Sequence, residues 1–350
     1  MIVNSLQIEN FRNHRLLSFE FKNGINAFVG RNGSGKTNIV EAIYYLSLAR
    51  SFRTLDNDEL IRKGFKNARI VANVSEGEIH RQIEILITKE GKQVLVNGKK
   101  LTKLSELSNT VNVVLFEPKD VMLFRGSPRD RRYFLDSSLS KKSAAYFDYL
   151  SRYEKVLRER NEILKSDIID ENLLEANTEL LIKLSSSIVN YRSMYVKDIN
   201  DILIKITRAL TGVHESIEVR YYPYVHNDEN FEENARAIYK RTLQSDIEHK
   251  ATSIGIHRED FSVFYKGKDI ASFGSQGENR IVALALKLAP YFLIEDREKR
   301  PVVVLDDVFS ELDQTHKMRL LRFTRRFEQV FITSTRLDVA GVNLYEIQKK

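Results

Sequence analysis

Apolar and polar residues alternate over most of residues 1–116. IVNSLQI, LLSFEF and NAFVG read as short strands, and RQIEILITKEGKQVLV as two alternating segments around a Glu-Gly-Lys turn. One helical interval interrupts them after Gly35, where Ile39, Ile43, Leu46 and Ala49 recur on one helix face. From about Pro128 to Thr252 the character changes to long helical periodicity. Tyr146, Leu150, Tyr153, Leu157 and Leu164 form one stripe, and Leu184, Ile188, Tyr191, Tyr195, Ile199, Ile202, Ile206 and Leu210 a second. The loop SDIIDEN between them predicts an antiparallel helical hairpin whose stripes are packing faces. Alternation returns after Ser253 in DFSVFYKGKDIASF, followed by a helix from Gln276 into KLAPYFLIED and two buried-strand runs, PVVVLDD and QVFITST. No internal repeat is visible. A helical middle between β-rich ends predicts an α/β protein with one discontinuous domain, residues 1–127 and 253–350, and a helical insertion domain, residues 128–252.

Composition narrows the class. A chain of 350 residues with 42% hydrophobic and 29% charged residues and no single-residue tract is expected to fold along its whole length, as two domains. A net charge of +7 and a pI near 9.2 favour a polyanionic partner, although basic proteins that bind no nucleic acid share this balance. The absence of cysteine excludes disulfides, zinc–thiolate sites and a thiol nucleophile, and suits a reducing cytoplasm. The first residues, MIVNSLQIENFRNHR, lack the apolar core of a signal peptide, and no run approaches the roughly 18 apolar residues that span a bilayer. The expectation is a soluble cytoplasmic protein with no membrane partner.

The strongest chemical motif is GRNGSGKT, Gly30 to Thr37, which fits G-x-x-x-x-G-K-[ST] and lies between a strand and an amphipathic helix. Gly33 and Gly35 let the backbone of Gly30, Arg31, Asn32 and Ser34 curl around phosphates at a helix N-terminus whose dipole favours anions, with Asn38 following in the first turn. Lys36 neutralises β- and γ-phosphate charge, and the Thr37 hydroxyl coordinates Mg²⁺ beside ATP. A glycine-rich turn with a surface lysine is the bland alternative. VVVLDD, Val302 to Asp307, ends a buried strand in two acids: Asp306 could reach Mg²⁺ and Asp307 could orient or deprotonate water, or the pair could cap the next turn. In FGSQGENR, Phe273 to Arg280, Ser275 and Gly277 open a helix and could present a hydroxyl and N–H groups to an anion, or act only as a helix cap.

The order of phosphate loop, helical insertion, serine-glycine signature, strand with two acids and S-E-L-D (Ser310 to Asp313) resembles the ATP-binding-cassette and SMC-type superfamily. IENFRNH (Ile8 to His14), LARSFRT (Leu48 to Thr54), GSPRDRRYFLD (Gly126 to Asp136), GIHREDF (Gly255 to Phe261) and DDVFSELDQTHKMRL (Asp306 to Leu320) are similar to the RecF family in particular, so that the likeness covers nearly the whole chain. It implies an ATPase head, built of a β-rich lobe and a phosphate-loop α/β lobe, with a short helical second domain in place of a coiled coil. It further implies an ATP-gated homodimer, sequence-independent binding to gapped DNA, slow hydrolysis, help in loading a strand-exchange recombinase, and RecR-like partners. Residue by residue, it implies that Arg12 and Asn13 lie near the nucleotide with Arg12 on phosphate. Ser275 and Gly277 would contact the γ-phosphate held by the partner subunit, and Asp313 would lie at the subunit junction. Two departures bear on the chemistry. Asp307 stands where the family carries a catalytic Glu, one methylene longer, and no glutamine loop follows VNVVLF, where Glu117 could stand in.

Arg125, Arg129, Arg131 and Arg132 could grip DNA phosphates or, flanked by Asp130 and Asp136, form internal ion pairs. Arg152, Lys155, Arg158 and Arg160 alternate with Glu154 and Glu159, which predicts a solvated helix face. Two rival functions share the phosphate loop. The ATPase subunit of a membrane transporter does not account for the helical insertion, and a soluble small-molecule kinase does not account for Ser275 and Gly277 or for S-E-L-D.

Overall fold

The computed structural model describes residues 1–103, 106–107, 110–310, 312–337 and 339–348. The chain divides into two compact units, Met1–Val121 with Ile206–Val213 and Leu284–Lys350, and Met122–Lys205 with His214–Ala283.

The first unit contains two sheets. Strands β1 (Ile2–Phe11), β2 (His14–Glu20), β4 (Asn67–Glu76), β5 (Ile79–Thr88), β6 (Lys92–Val96) and β7 (Lys99–Lys100) form an antiparallel sheet in the order β2-β1-β4-β5-β6-β7. A shift of register between Val3 and Ser5 puts Val3 and Leu6, three residues apart, in the core together, where strict alternation would send them to opposite faces. The second sheet is parallel and joins β3 (Gly24–Val29), β8 (Val113–Phe116), β12 (Val302–Leu305), β13 (Gln329–Ser334) and β14 (Asn343–Glu346) in the order β14-β3-β13-β12-β8. Every residue of β12 and β13 is buried, as the continuous apolar runs VVVL and VFI require of central parallel strands. Helix α1 (Lys36–Leu48) touches β8 and β13 of this sheet and β1 of the other. That placement buries Val40, Ala42 and Tyr45 besides the stripe Ile39, Ile43 and Leu46, so the helix is apolar beyond one face.

The second unit holds α2 (Pro128–Lys142), α3 (Ala144–Lys165), α5 (Phe231–His249), α6 (Ile270–Phe273) and most of α4 (Glu171–Thr211), and α7 (Gln276–Phe292) begins there. Ser127 and Asp130 form a reciprocal cap on α2, with Pro128 in its first turn. The hairpin loop falls between Lys165 and Glu171, and Tyr146 of α3 meets Tyr191 of α4 edge-on at 5.7 Å between ring centroids.

Two expectations need correction in detail, and the alternatives left open for RGSPRDRR are narrowed. The interval 128–252 is not wholly helical: β9 (Ile217–Tyr222) lies in it and pairs antiparallel with β10 (Asp260–Tyr265), which pairs with β11 (Lys268–Asp269). The pairing draws residues 253–283 into the second unit. Arg160 is not on a solvated face; it is 1% exposed and bonds Asp246 at 2.9 Å, Thr252 at 2.7 Å and Thr178 at 2.9 Å, whereas Arg152, Lys155 and Arg158 are exposed. Asp246, on α5, supplies the counter-charge that permits burial of a guanidinium. Of the arginines in RGSPRDRR, Arg131 pairs with Asp260 at 2.6 Å, Arg132 donates to the Glu259 carbonyl at 2.7 Å and Arg125 to the Ala271 carbonyl at 3.2 Å. The acid that pairs with Arg131 is distant in sequence, since Asp130 caps α2 and Asp136 pairs with Arg192 at 2.8 Å. Arg129 is exposed.

Candidate nucleotide-binding site

The phosphate loop leaves the C-terminal end of β3 and enters α1, the place where parallel sheets gather ligand-binding loops. Gly33 and Gly35 adopt φ of 78° and 98°, left-handed values that side chains resist, and Gly35 caps α1. A Cβ on Gly35 would stand 2.4 Å from His14 Nε2 and 2.7 Å from Asn13 Oδ1, so the turn between β1 and β2 lies directly against the loop. His14 Nε2 is 3.1 Å from the Gly35 carbonyl, and burial pushes its pKa down. Asn13 accepts from Asn38 Nδ2 at 2.7 Å, which brings the predicted Asn13 and Asn38 together. The Ser34 hydroxyl is buried with no hydrogen-bond partner among the described residues.

Lys36 donates from Nζ to the carbonyls of Gly30 at 2.8 Å and Arg31 at 2.9 Å. Burial lowers its pKa, and Asp307 and then Asp306 oppose that shift, so ammonium and acids share one locality. Across the strand ends, Thr37 Oγ1 donates to Asp306 Oδ1 at 3.0 Å, and Thr333 Oγ1 donates to the same oxygen at 2.7 Å. Asp306 is 5% exposed; burial raises its pKa, and the Thr333 and Thr37 hydroxyls pull it back. Asp307 has φ of 46° and donates its N–H to Thr333 Oγ1 at 2.8 Å. A non-glycine residue held in this region just after β12 is over-determined by its surroundings, as strained residues at functional sites are.

Arg12 meets a carboxylate. Its Nε donates to Glu41 Oε2 at 2.9 Å and Nη2 to Glu41 Oε1 at 2.5 Å, with Nη1 on the Glu59 carbonyl at 2.8 Å. Glu41 is fully buried on α1 and also holds Ser51 at 2.5 Å and Arg53 at 3.3 Å, while Arg53 bonds Asn38 at 2.8 Å and offsets part of the rise at Asp306. Glu41, Arg53, His14 and Thr333 were not among the predicted residues. The sequence carried a signal for three of them: His14 and Arg53 lie in the family-like stretches IENFRNH and LARSFRT, and Glu41 is an acid one turn after Thr37 on a helix with an apolar face.

Glu117 follows β8, whose Phe116 pairs with Leu305, and the Asp306 N–H donates to the Phe116 carbonyl at 2.9 Å. Its carboxyl is pushed up to about 7 by burial, against Lys119 at 2.8 Å. In the second unit, Ser275 caps α7: its hydroxyl accepts from the Glu278 N–H at 3.3 Å, and Ser275, Gln276 and Gly277 are exposed. Asp313 caps α8 (Gln314–Thr324), accepting from the His316 N–H at 2.8 Å; Glu311 of S-E-L-D lies outside the described residues.

The DNA replication and repair protein RecF of Clostridium novyi is 39% identical over 341 residues, covering 97% of this chain and 94% of that protein. This chain belongs to the RecF family. The RecF protein of Clostridioides difficile is 36% identical over 362 residues, covering 99% of this chain and 97% of the relative. The profile of the family described as RecF/RecN/SMC N terminal domain matches residues 2–344. A solved structure of the recombination mediator protein RecF with ATP, in the RecFOR pathway, superposes with a TM-score of 0.86 at 31% identity and covers 99% of this chain and 97% of its own. The Smc head domain of Pyrococcus furiosus shares the fold, with a TM-score of 0.60 at 18% identity over 95% of this chain and 89% of that one. An α/β head of ATP-binding-cassette type is therefore the architecture that RecF and SMC proteins hold in common, and the transporter and kinase readings are not favoured.

Proposed function

We propose that the chain is an ATP-gated DNA-binding homodimer of recombinational repair, in which hydrolysis is slow and acts as a switch. The contact of Thr37 with Asp306 at 3.0 Å carries the reading, because it joins the phosphate-loop hydroxyl to the acid that follows β12, across the intervening β13, where a nucleotide-bound cation belongs. Hard oxygen donors, one buried carboxylate and one hydroxyl, suit Mg²⁺, which takes its remaining positions from water and phosphates. When bound, Mg²⁺ supplies charge neutralisation at the β- and γ-phosphates. The chain's own groups do the rest: Lys36 adds positive charge beside the same phosphates, N–H groups of the loop donate to phosphate oxygens, and Asp307 orients water. Its short side chain reaches less far than Glu, which favours slow turnover.

Ser275 and Gly277 of one subunit close over the γ-phosphate held by the other, and Asp313 lies at that junction, so two chains with one phosphate loop and one signature each make two complete sites. The dimer takes gapped DNA and RecR-like partners in the cytoplasm to help load a strand-exchange recombinase. Light scattering with ATP and Mg²⁺ tests the shared site. Wild type is expected to dimerise, Ser275→Arg to stay monomeric because a bulky cation fills the γ-phosphate position, and Asp307→Asn to accumulate ATP-bound dimers with ATPase reduced about a hundredfold. A Ser275→Arg variant that dimerises like wild type overturns the reading.

A further inference from the structure

On the reading that the signature of one subunit receives the partner's γ-phosphate, the groups assigned to that contact already hold an anion of the chain's own. Glu278 Oε2 accepts from the Ser275 hydroxyl at 3.0 Å and from the Ser275 N–H at 3.1 Å. Its other oxygen, Oε1, accepts from Lys266 Nζ at 3.1 Å, and Glu215 lies 3.9 Å from the same ammonium. Lys266 stands at the tight turn between β10 and β11 with φ of 53°. One carboxylate thus bridges the signature serine and a lysine from a different element. The Ser275 N–H pulls the Glu278 carboxyl below its ordinary range, which keeps it ionised at neutral pH.

Two anions cannot share the donors of Ser275. A phosphate arriving there meets a like charge within one helical turn, and at that separation in partly screened surroundings the repulsion weakens binding by about tenfold or more. Glu278 need not lose its counter-charge on leaving, because Oε1 already rests on Lys266. We propose that Glu278 and Lys266 form a gate on the signature: Glu278 occupies the donors of Ser275 until a γ-phosphate displaces it, and Lys266 retains the displaced carboxylate. The gate sets how much ATP is needed to bring two subunits together.

Glu278→Gln isolates the charge, since glutamine at this position of a capping box still reaches back to the serine N–H and preserves the helix start. Lys266→Met removes the retaining ammonium at similar length and acts in the opposite direction. The experiment is an ATP titration of the full chain with Mg²⁺ followed by multi-angle light scattering, with melting curves to verify that each variant is folded. Glu278→Gln is expected to reach half-dimerisation at about tenfold less ATP than wild type, and Lys266→Met to need about threefold more. A wild type that dimerises while Glu278→Gln needs as much ATP or more overturns the gate and leaves the shared-site reading standing. Shifts of both variants in the same direction also overturn the gate. If neither wild type nor Glu278→Gln dimerises at saturating ATP, the shared-site reading falls and the gate with it.

Discussion

Lys36 donates to two loop carbonyls, which hold its ammonium in place to offer positive charge to a polyphosphate. Removing it deletes charge-assisted bonds that backbone N–H groups cannot replace. Lys36→Ala is expected to weaken nucleotide binding by at least about a hundredfold in a titration with a fluorescent ATP analogue, with little change in Tm. Wild-type affinity in the variant would refute this role. At this scale the meeting of Thr37 with Asp306 was legible because each belongs to a short motif of fixed spacing, and the roles of Lys36, Thr37 and Asp306 are part of the proposal. Arg12 was not legible in the same way. Its guanidinium lies on Glu41, a residue 29 positions away, and only folding shows that this carboxylate also holds Arg53 and Ser51.

Elements of the second unit are joined by buried ions. Arg192 of α4, 1% exposed, donates to Glu259 at 2.6 Å and to Asp136 of α2 at 2.8 Å. Arg192→Met would strand both acids, and loss of one partner of a buried pair costs about 3–5 kcal/mol. Urea denaturation followed by circular dichroism measures this, and a loss under about 1 kcal/mol would contradict it. Beside this network His257 lies 2.8 Å from the Tyr153 hydroxyl through Nδ1 and 3.1 Å from the Thr252 carbonyl through Nε2. Burial pushes its pKa down to about 4, while an unfolded chain takes up the proton near the ordinary value of about 6.5. Between these values the unfolded state binds more protons, so stability from this group is intact above about pH 6.5 and is lost as pH falls toward about 4. His257→Gln has no such proton. The stability of wild type relative to this variant is expected to drop by about 2–3 kcal/mol between pH 7.5 and pH 4.5 in matched urea titrations. A difference that stays constant with pH would rule out the buried neutral imidazole.

For the whole molecule, the net charge of +7 makes phosphate contacts the natural source of DNA affinity. Binding to gapped DNA with ATP and Mg²⁺ is expected to fall with a log–log salt slope of about −4 or steeper and to vary little with sequence. Fluorescence anisotropy across a salt series measures both, and no binding to mixed sequences at low salt would remove DNA from the proposed function. Arg131 and Arg132 are committed to Asp260 and the Glu259 carbonyl, so the basic character of the GSPRDRR stretch is spent largely on holding the second unit together.

Local rules let the sequence alone determine the strand-loop-helix around Gly30 to Thr37, the helical hairpin and the buried strands before Asp307 and Thr335. In each case period, turn chemistry and motif spacing act over fewer than about twenty neighbouring residues. Tertiary structure alone decided what depends on partners far along the chain. It paired Ile217–Tyr222 with Asp260–Tyr265, buried Arg160 against Asp246, and set Glu41 between Arg12 and Arg53. A short alternating run such as IEVRYY is ambiguous until a second strand satisfies its hydrogen bonds, and an arginine on a helix reads as solvated until an acid from another element meets it.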